Sequence, residues 1–180
     1  MDFAEKRRRL CGCYVTIPTM FRDDDLQLNL PAMQRHIEFL FDGGIKEGTG
    51  VILAGGAAGD FSMMSFDERV QVAQAVIEAA DGRIPVAMGA MTTNTRELVE
   101  LAKAAEWIGA DYIQISPPFY FNHSQDDFVE YFLAAAEATN VGLILYNTYW
   151  YSMGVSLKVM ERLLQVPNFV GLKWATPENG

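Results

Sequence analysis

The chain is poor in the residues that build disulfide-stapled or metal-held domains. Two cysteines and two histidines stand in 180 residues. Cys11 and Cys13 do not make a disulfide framework, and no second cysteine pair follows at zinc-ligand spacing. His36 and His123 lie far apart in sequence, so no metal site is expected; the two thiols are expected to be reduced and packed, in a cytoplasmic protein. Long apolar runs are missing as well. None approaches the roughly 20 residues that span a bilayer, so no membrane role is expected. No apolar stretch separates the basic residues 6–9 from Cys11, and Thr16 and Pro18 interrupt the run after it, which argues against a secretory signal. Positive charge is also scarce. Lys and Arg number 14 against 23 Asp and Glu, a net charge of −9, which lacks the electrostatic footprint of a nucleic-acid binder. The one basic cluster, Lys6-Arg7-Arg8-Arg9, reads as a solvated N-terminal tail.

What is present is apolar and regular. Hydrophobic residues make up 50% of the chain, enough for a sizeable core. Short Val- and Ile-rich runs recur at 13–17, 50–55, 84–89, 111–116, 141–147 and 168–174. Between them lie segments of helical period. One begins near Pro31 and ends before Gly43-Gly44; a second opens with Ser65 and Glu68 in capping-box spacing; a third carries apolar residues at 98, 101, 102, 105 and 108. Strands that alternate with helices need crossover connections and therefore a parallel sheet. A doubly wound open sheet and a (β/α)₈ barrel both satisfy that pattern. No GxGxxG follows the first strand, which weakens a dinucleotide-binding sheet. No linker or low-complexity segment interrupts the chain, so residues 1–180 read as one domain.

Parallel strands deliver functional residues at their C-terminal ends. Those ends hold Thr19, the loop GGAAGD at 55–60, SPPFY at 116–120, Tyr146-Asn147 and Lys173. Strand-end position makes Thr19 and Asn147 candidates for contact with substrate. Side-chain alternation puts Gly142, Ile144 and Tyr146 on one face of their strand and Phe169, Gly171 and Lys173 on one face of the next. If both faces point inward, Tyr146 and Lys173 meet. An amine in an apolar pocket is pushed toward its neutral form. It can then attack a ketone and form a Schiff base, while a nearby phenol moves the protons that step requires. The plain alternative is a strand-end lysine that reaches solvent beside a tyrosine that merely packs. Glycines in GGAAGD let backbone N–H groups form an anion-binding concavity for a carboxylate, or simply a tight connection.

Together these segments resemble the dihydrodipicolinate synthase/N-acetylneuraminate lyase family, over nearly the whole chain. GGAAGDFSMMSFDER is similar to the family's Gly-Thr/Ser-Thr-Gly-Glu loop and the helix start after it. RIPVAMG resembles its third strand, SPPFYFNHSQ its Thr-Pro-Pro-Tyr-Tyr loop, LILYN its Tyr-Asn strand, and FVGLKWAT the strand with the Schiff-base lysine. The resemblance implies a (β/α)₈ TIM barrel, of which this chain supplies about five βα units and the sixth strand. It implies Lys173 as the imine-forming nucleophile, Tyr146 as the proton-transfer phenol, and Gly56, Ala57 and Ala58 as the binder of a pyruvate-like carboxylate. Tyr120 falls where some members use a tyrosine that reaches a neighbouring subunit's site, in a tetramer built as a dimer of dimers. The implied activity is an aldolase or dehydratase acting on a small 2-oxo acid without metal or organic cofactor. The alternative is a non-catalytic member that oligomerises or binds a ligand.

The departures are specific. Ala57 and Ala58 stand where the family carries hydroxyls, so a threonine-assisted relay is lost from that loop. After Asn147 the chain reads Thr-Tyr-Trp-Tyr-Ser-Met-Gly, without the arginine that dihydrodipicolinate synthases offer to their second substrate, which argues against that reaction. Trp174 replaces a common glutamate and is expected to point away from the site. A (β/α)₈ barrel typically takes about 250 residues, so a fragment or shortened form is expected.

Overall fold

The computed structural model describes residues 2–148 and 153–175. Six strands form one sheet in which every neighbouring pair is parallel: β1 (Cys13–Thr16), β2 (Gly50–Ala54), β3 (Val86–Gly89), β4 (Tyr112–Ile115), β5 (Gly142–Asn147) and β6 (Phe169–Trp174). Spatial order follows chain order, β1 to β6. An unbroken order with a helix in each crossover is the winding of a β/α barrel; the doubly wound alternative would need an order reversal. The architecture is thus six strands of a (β/α)₈ barrel.

The helices are α1 (Phe3–Arg9), α2 (Leu30–Asp42), α3 (Phe66–Ala80), α4 (Thr95–Trp107), α5 (Gln125–Ala138) and α6 (Leu157–Leu163). Ser65 caps α3 in a reciprocal box with Glu68, and Ser124 does the same for α5 with Asp127. Asn29, Asn94 and Ser156 cap α2, α4 and α6. Two apolar layers result. The outer one lies between sheet and helices; in it Phe132 meets Phe128 and Phe169 edge-on at 6.1 and 5.9 Å. The inner one gathers Val51, Leu53, Ala87, Tyr112, Ile144 and Val170, with Tyr14 and Leu10 packed against it.

The structure departs from the sequence expectations at three places. The basic cluster is not a solvated tail but part of α1, which closes the N-terminal end of the strands. Lys6 Nζ donates to the carbonyls of Asp111 and Asn140 at 3.3 and 3.1 Å, and Arg7 to those of Pro167 and Phe169 at 3.0 and 2.9 Å. Arg9 pairs with Glu47 at 2.9 Å and Asp111 at 2.5 Å. The Tyr112 phenol donates to the Lys6 carbonyl at 2.7 Å. Carbonyls at strand starts and in the connections need donors, and the cationic side chains supply them.

Second, Phe169 does not share a face with Lys173. The ladder between β5 and β6 shifts register, pairing Leu143 with Phe169 but Ile144 with Gly171. Across that irregularity Phe169 turns to the outer layer and Val170 to the inner one. Third, Cys11 and Cys13 are free but exposed, not packed. Cys13 begins β1, which among the described residues has a strand partner on one side only.

Candidate active site

Beyond the register shift, β5 and β6 run in step, and Tyr146 pairs with Lys173 across the ladder. Lys173 Nζ lies 4.5 Å from the centre of the Tyr146 ring and 5.8 Å from that of Tyr14 on β1. Both contacts fall within cation–π range, about 6 Å. Burial disfavours the ammonium and lowers the Lys173 pKa below the ordinary lysine value; among the described residues no nearby charge opposes it. The Tyr146 phenol is pushed up, chiefly by burial, while a hydrogen bond with the Thr148 side chain acts the other way. The pair thus consists of an amine shifted toward neutrality and a phenol held protonated. An amine of that kind can serve as a nucleophile, and such a phenol has a proton to give.

The loop after β2 turns on Gly55, whose φ of +63° suits a residue without a side chain. Gly89 must also lack one, since a Cβ there would stand 2.0 Å from the Gly55 carbonyl oxygen. Gly56 then leads into a 3₁₀ turn over Ala57–Gly59. Within it the amides of Gly59 and Asp60 bond to the carbonyls of Gly56 and Ala57 at 2.9 and 3.3 Å. The amides of Ala57 and Ala58 open the turn and so have no acceptor inside it. Both residues are exposed, a placement suited to receiving an anion.

Thr19 and Asn147 are placed at the same ends, but their groups hold loops. The Thr19 hydroxyl donates to the Gly59 carbonyl at 2.6 Å, tying the β1 and β2 loops together. Asn147 Oδ1 accepts from the Val155 amide at 2.8 Å, and its carbonyl accepts from Ala175 at 3.0 Å. Tyr120 stands on the loop after β4 with φ of +86° and 83% exposure, its ring edge-on to Phe121 at 4.6 Å. Trp174 is exposed. The aromatic residues Tyr149, Trp150 and Tyr151 lie outside the described residues.

Tyr14 and Thr148 join the site beyond the residues expected from sequence. Tyr14 carried a signal, since alternation along β1 puts it on one face with Thr16. Thr148 stands two residues beyond Tyr146, on the same side of an extended chain. Among the described residues no cluster of three or more His, Cys, Asp and Glu is placed to hold a metal, and no helix is long and apolar enough to cross a membrane.

A parallel β/α barrel sheet with a half-buried lysine near the end of its sixth strand, stacked on a tyrosine of the fifth, defines the class of barrel proteins built around a strand-borne amine. The chain belongs to the dihydrodipicolinate synthetase family, whose model matches residues 10–179. A 4-hydroxy-tetrahydrodipicolinate synthase of Acidiphilium cryptum is 37% identical over 166 residues, covering 92% of this chain and 55% of that one. The dihydrodipicolinate synthase of Acinetobacter baumannii, solved with pyruvate, superposes with a TM-score of 0.84 at 34% identity, covering 92% of this chain and 55% of that one. A prophage protein of the same family from E. coli K12, also solved with pyruvate, gives 0.84 at 28% identity, covering 93% and 55%. The chain spans about 55% of the length of these relatives.

Proposed function

We propose that this chain carries the Schiff-base half of a lyase site for a small 2-oxo acid such as pyruvate. The observation that carries the reading is the Lys173–Tyr146 pair, an amine depressed by burial 4.5 Å from a phenol ring. Lys173 Nζ adds to the ketone carbon, the carbinolamine oxygen leaves as water with a proton from Tyr146, and an iminium remains. That iminium accepts the electron pair of a C–H or C–C bond beside it, so the same intermediate serves aldol chemistry and dehydration. The substrate carboxylate rests on the amides of Ala57 and Ala58, which need no side-chain hydroxyl to donate. Thr19 and Asn147 support it indirectly, by fixing the loops that frame the site.

The reading extends to assembly. Tyr120 and Phe121, 83% and 77% exposed, form an aromatic edge suited to a second copy of the chain in a dimer-of-dimers tetramer, with Tyr120 reaching toward the neighbour's site. A cytoplasmic location is part of the same reading, supported by the free thiols. For the second half of the substrate we read a group other than the one dihydrodipicolinate synthases take, because aromatic residues stand at 149–151 where an arginine is needed.

The test is a panel of 2-oxo acids and their aldol adducts, followed by release or consumption of pyruvate with a coupled dehydrogenase. Turnover of one member that Lys173→Ala abolishes supports the reading. Equal turnover by Lys173→Ala and the parent ends it.

A further inference from the structure

Lys173 lies between two aromatic faces that come from distant strands. Tyr146 stacks on it from the neighbouring β5, and Tyr14 from β1, at the other end of the sheet order. Tyr14 packs on the inner layer of Val51, Leu53, Tyr112 and Ile144. Its hydroxyl is buried and, among the described residues, has no hydrogen-bond partner. An unpartnered buried hydroxyl lowers stability, so hydrogen bonding does not account for this side chain; its ring is what meets the amine. Tyr14 and Lys173 also line one cavity of about 210 Å³, together with Cys11, Cys13, Ile144 and Leu172. Among the described residues, the titratable groups that face the amine are therefore the phenols of Tyr146 on β5 and Tyr14 on β1, with the thiols of Cys11 and Cys13 across the cavity.

We propose that Tyr14 is a positioning residue for Lys173, its ring face holding Nζ across the inner side of the sheet and against Tyr146. The proposal rests on reading Lys173 as the imine-forming amine. Without the β1 ring, a flexible four-carbon stem beside an open cavity is free to carry its amine away from Tyr146. A ring face attracts the ammonium by its quadrupole and the neutral amine much less. Tyr14 thus pins the resting side chain and loosens its hold when the amine loses its proton to attack.

The test follows the nucleophilicity of Lys173 across neutral and alkaline pH, by trace acetylation with acetic anhydride and peptide mass spectrometry of the intact chain. Tyr14→Phe keeps the ring and should leave the midpoint in place. Tyr14→Phe carrying successive ring fluorines drains the ring face with little change in size. It should lower the midpoint step by step, by roughly half to one pH unit in all. Tyr14→Leu should lower it as well. A ring that only fills space predicts the reverse: fluorination leaves the midpoint unmoved, and leucine admits water and raises it. Either result overturns the proposal. The labelling needs no 2-oxo acid, so failure of the parent to react with pyruvate would sink the lyase reading and leave this test intact.

Discussion

Asp111 is the residue on which the N-terminal end of the sheet depends. One carboxylate oxygen accepts from the Val86 amide at 2.9 Å and the other from Arg9 at 2.5 Å, so the residue joins β3, β4 and α1. Asp111→Ala removes both. Val86 is 2% exposed, so its amide loses its side-chain acceptor in a buried place, a loss of about 1–3 kcal/mol. Arg9 keeps Glu47, which limits the loss on that side to about 1 kcal/mol. The variant should therefore lose about 2–4 kcal/mol. Asp111→Asn keeps an acceptor for Val86 but turns its NH2 toward Arg9, giving up that hydrogen bond with the charge, about 1 kcal/mol while Glu47 still holds Arg9. Urea unfolding followed by circular dichroism reads this directly. With a slope of about 2 kcal/mol/M, the midpoint should fall by roughly 1–2 M for alanine and about 0.5 M for asparagine. Arg9→Ala combined with Asp111→Asn should be less than additive. If both Asp111 variants and Arg9→Ala unfold with the parent, α1 is a free tail after all and the account of this end of the sheet is wrong.

Tyr146→Phe keeps the ring beneath Lys173 but removes the proton, so turnover should drop by roughly 10²- to 10⁴-fold while borohydride trapping persists; loss of trapping would mean that the phenol places the amine rather than serving it. Because burial lowers the Lys173 pKa, a larger fraction of this amine is neutral at any given pH below the ordinary lysine range. Adduct formation should therefore rise with pH at lower values than for a free lysine amine in solution, and coincident profiles would show that the site does not tune it. Asn147→Ala should leave the buried Val155 amide without its acceptor and lower stability by about 1–3 kcal/mol in the same urea assay. An unchanged midpoint would release Asn147 from its structural role.

The repeating alternation of Val-rich runs and helical segments was enough to place six parallel strands, because burial on both faces leaves a pattern any reader of hydropathy can see. The Lys173–Tyr146 encounter was legible for a related reason, since strand alternation holds near the ends of β5 and β6. It failed at Phe169, where an irregularity in the ladder broke the period of two, and no residue type announces such a shift. The basic cluster misled because its partners are mostly backbone carbonyls at strand starts and connections, which sequence does not display. Thr19 and Asn147 stand where polar residues at strand ends usually face a ligand. Their hydrogen bonds go to Gly59 and Val155 instead, partners set by loop geometry.

We read Lys173 as an activated amine that forms an imine with a 2-oxo acid. Incubation of the 180-residue chain with pyruvate and borohydride, read by intact mass and a peptide map, tests it most directly. One pyruvyl-derived adduct per chain is expected, located on Lys173 and lost in Lys173→Ala. Modification spread over exposed lysines, or none at Lys173 in a chain whose circular dichroism shows the fold intact, would contradict it.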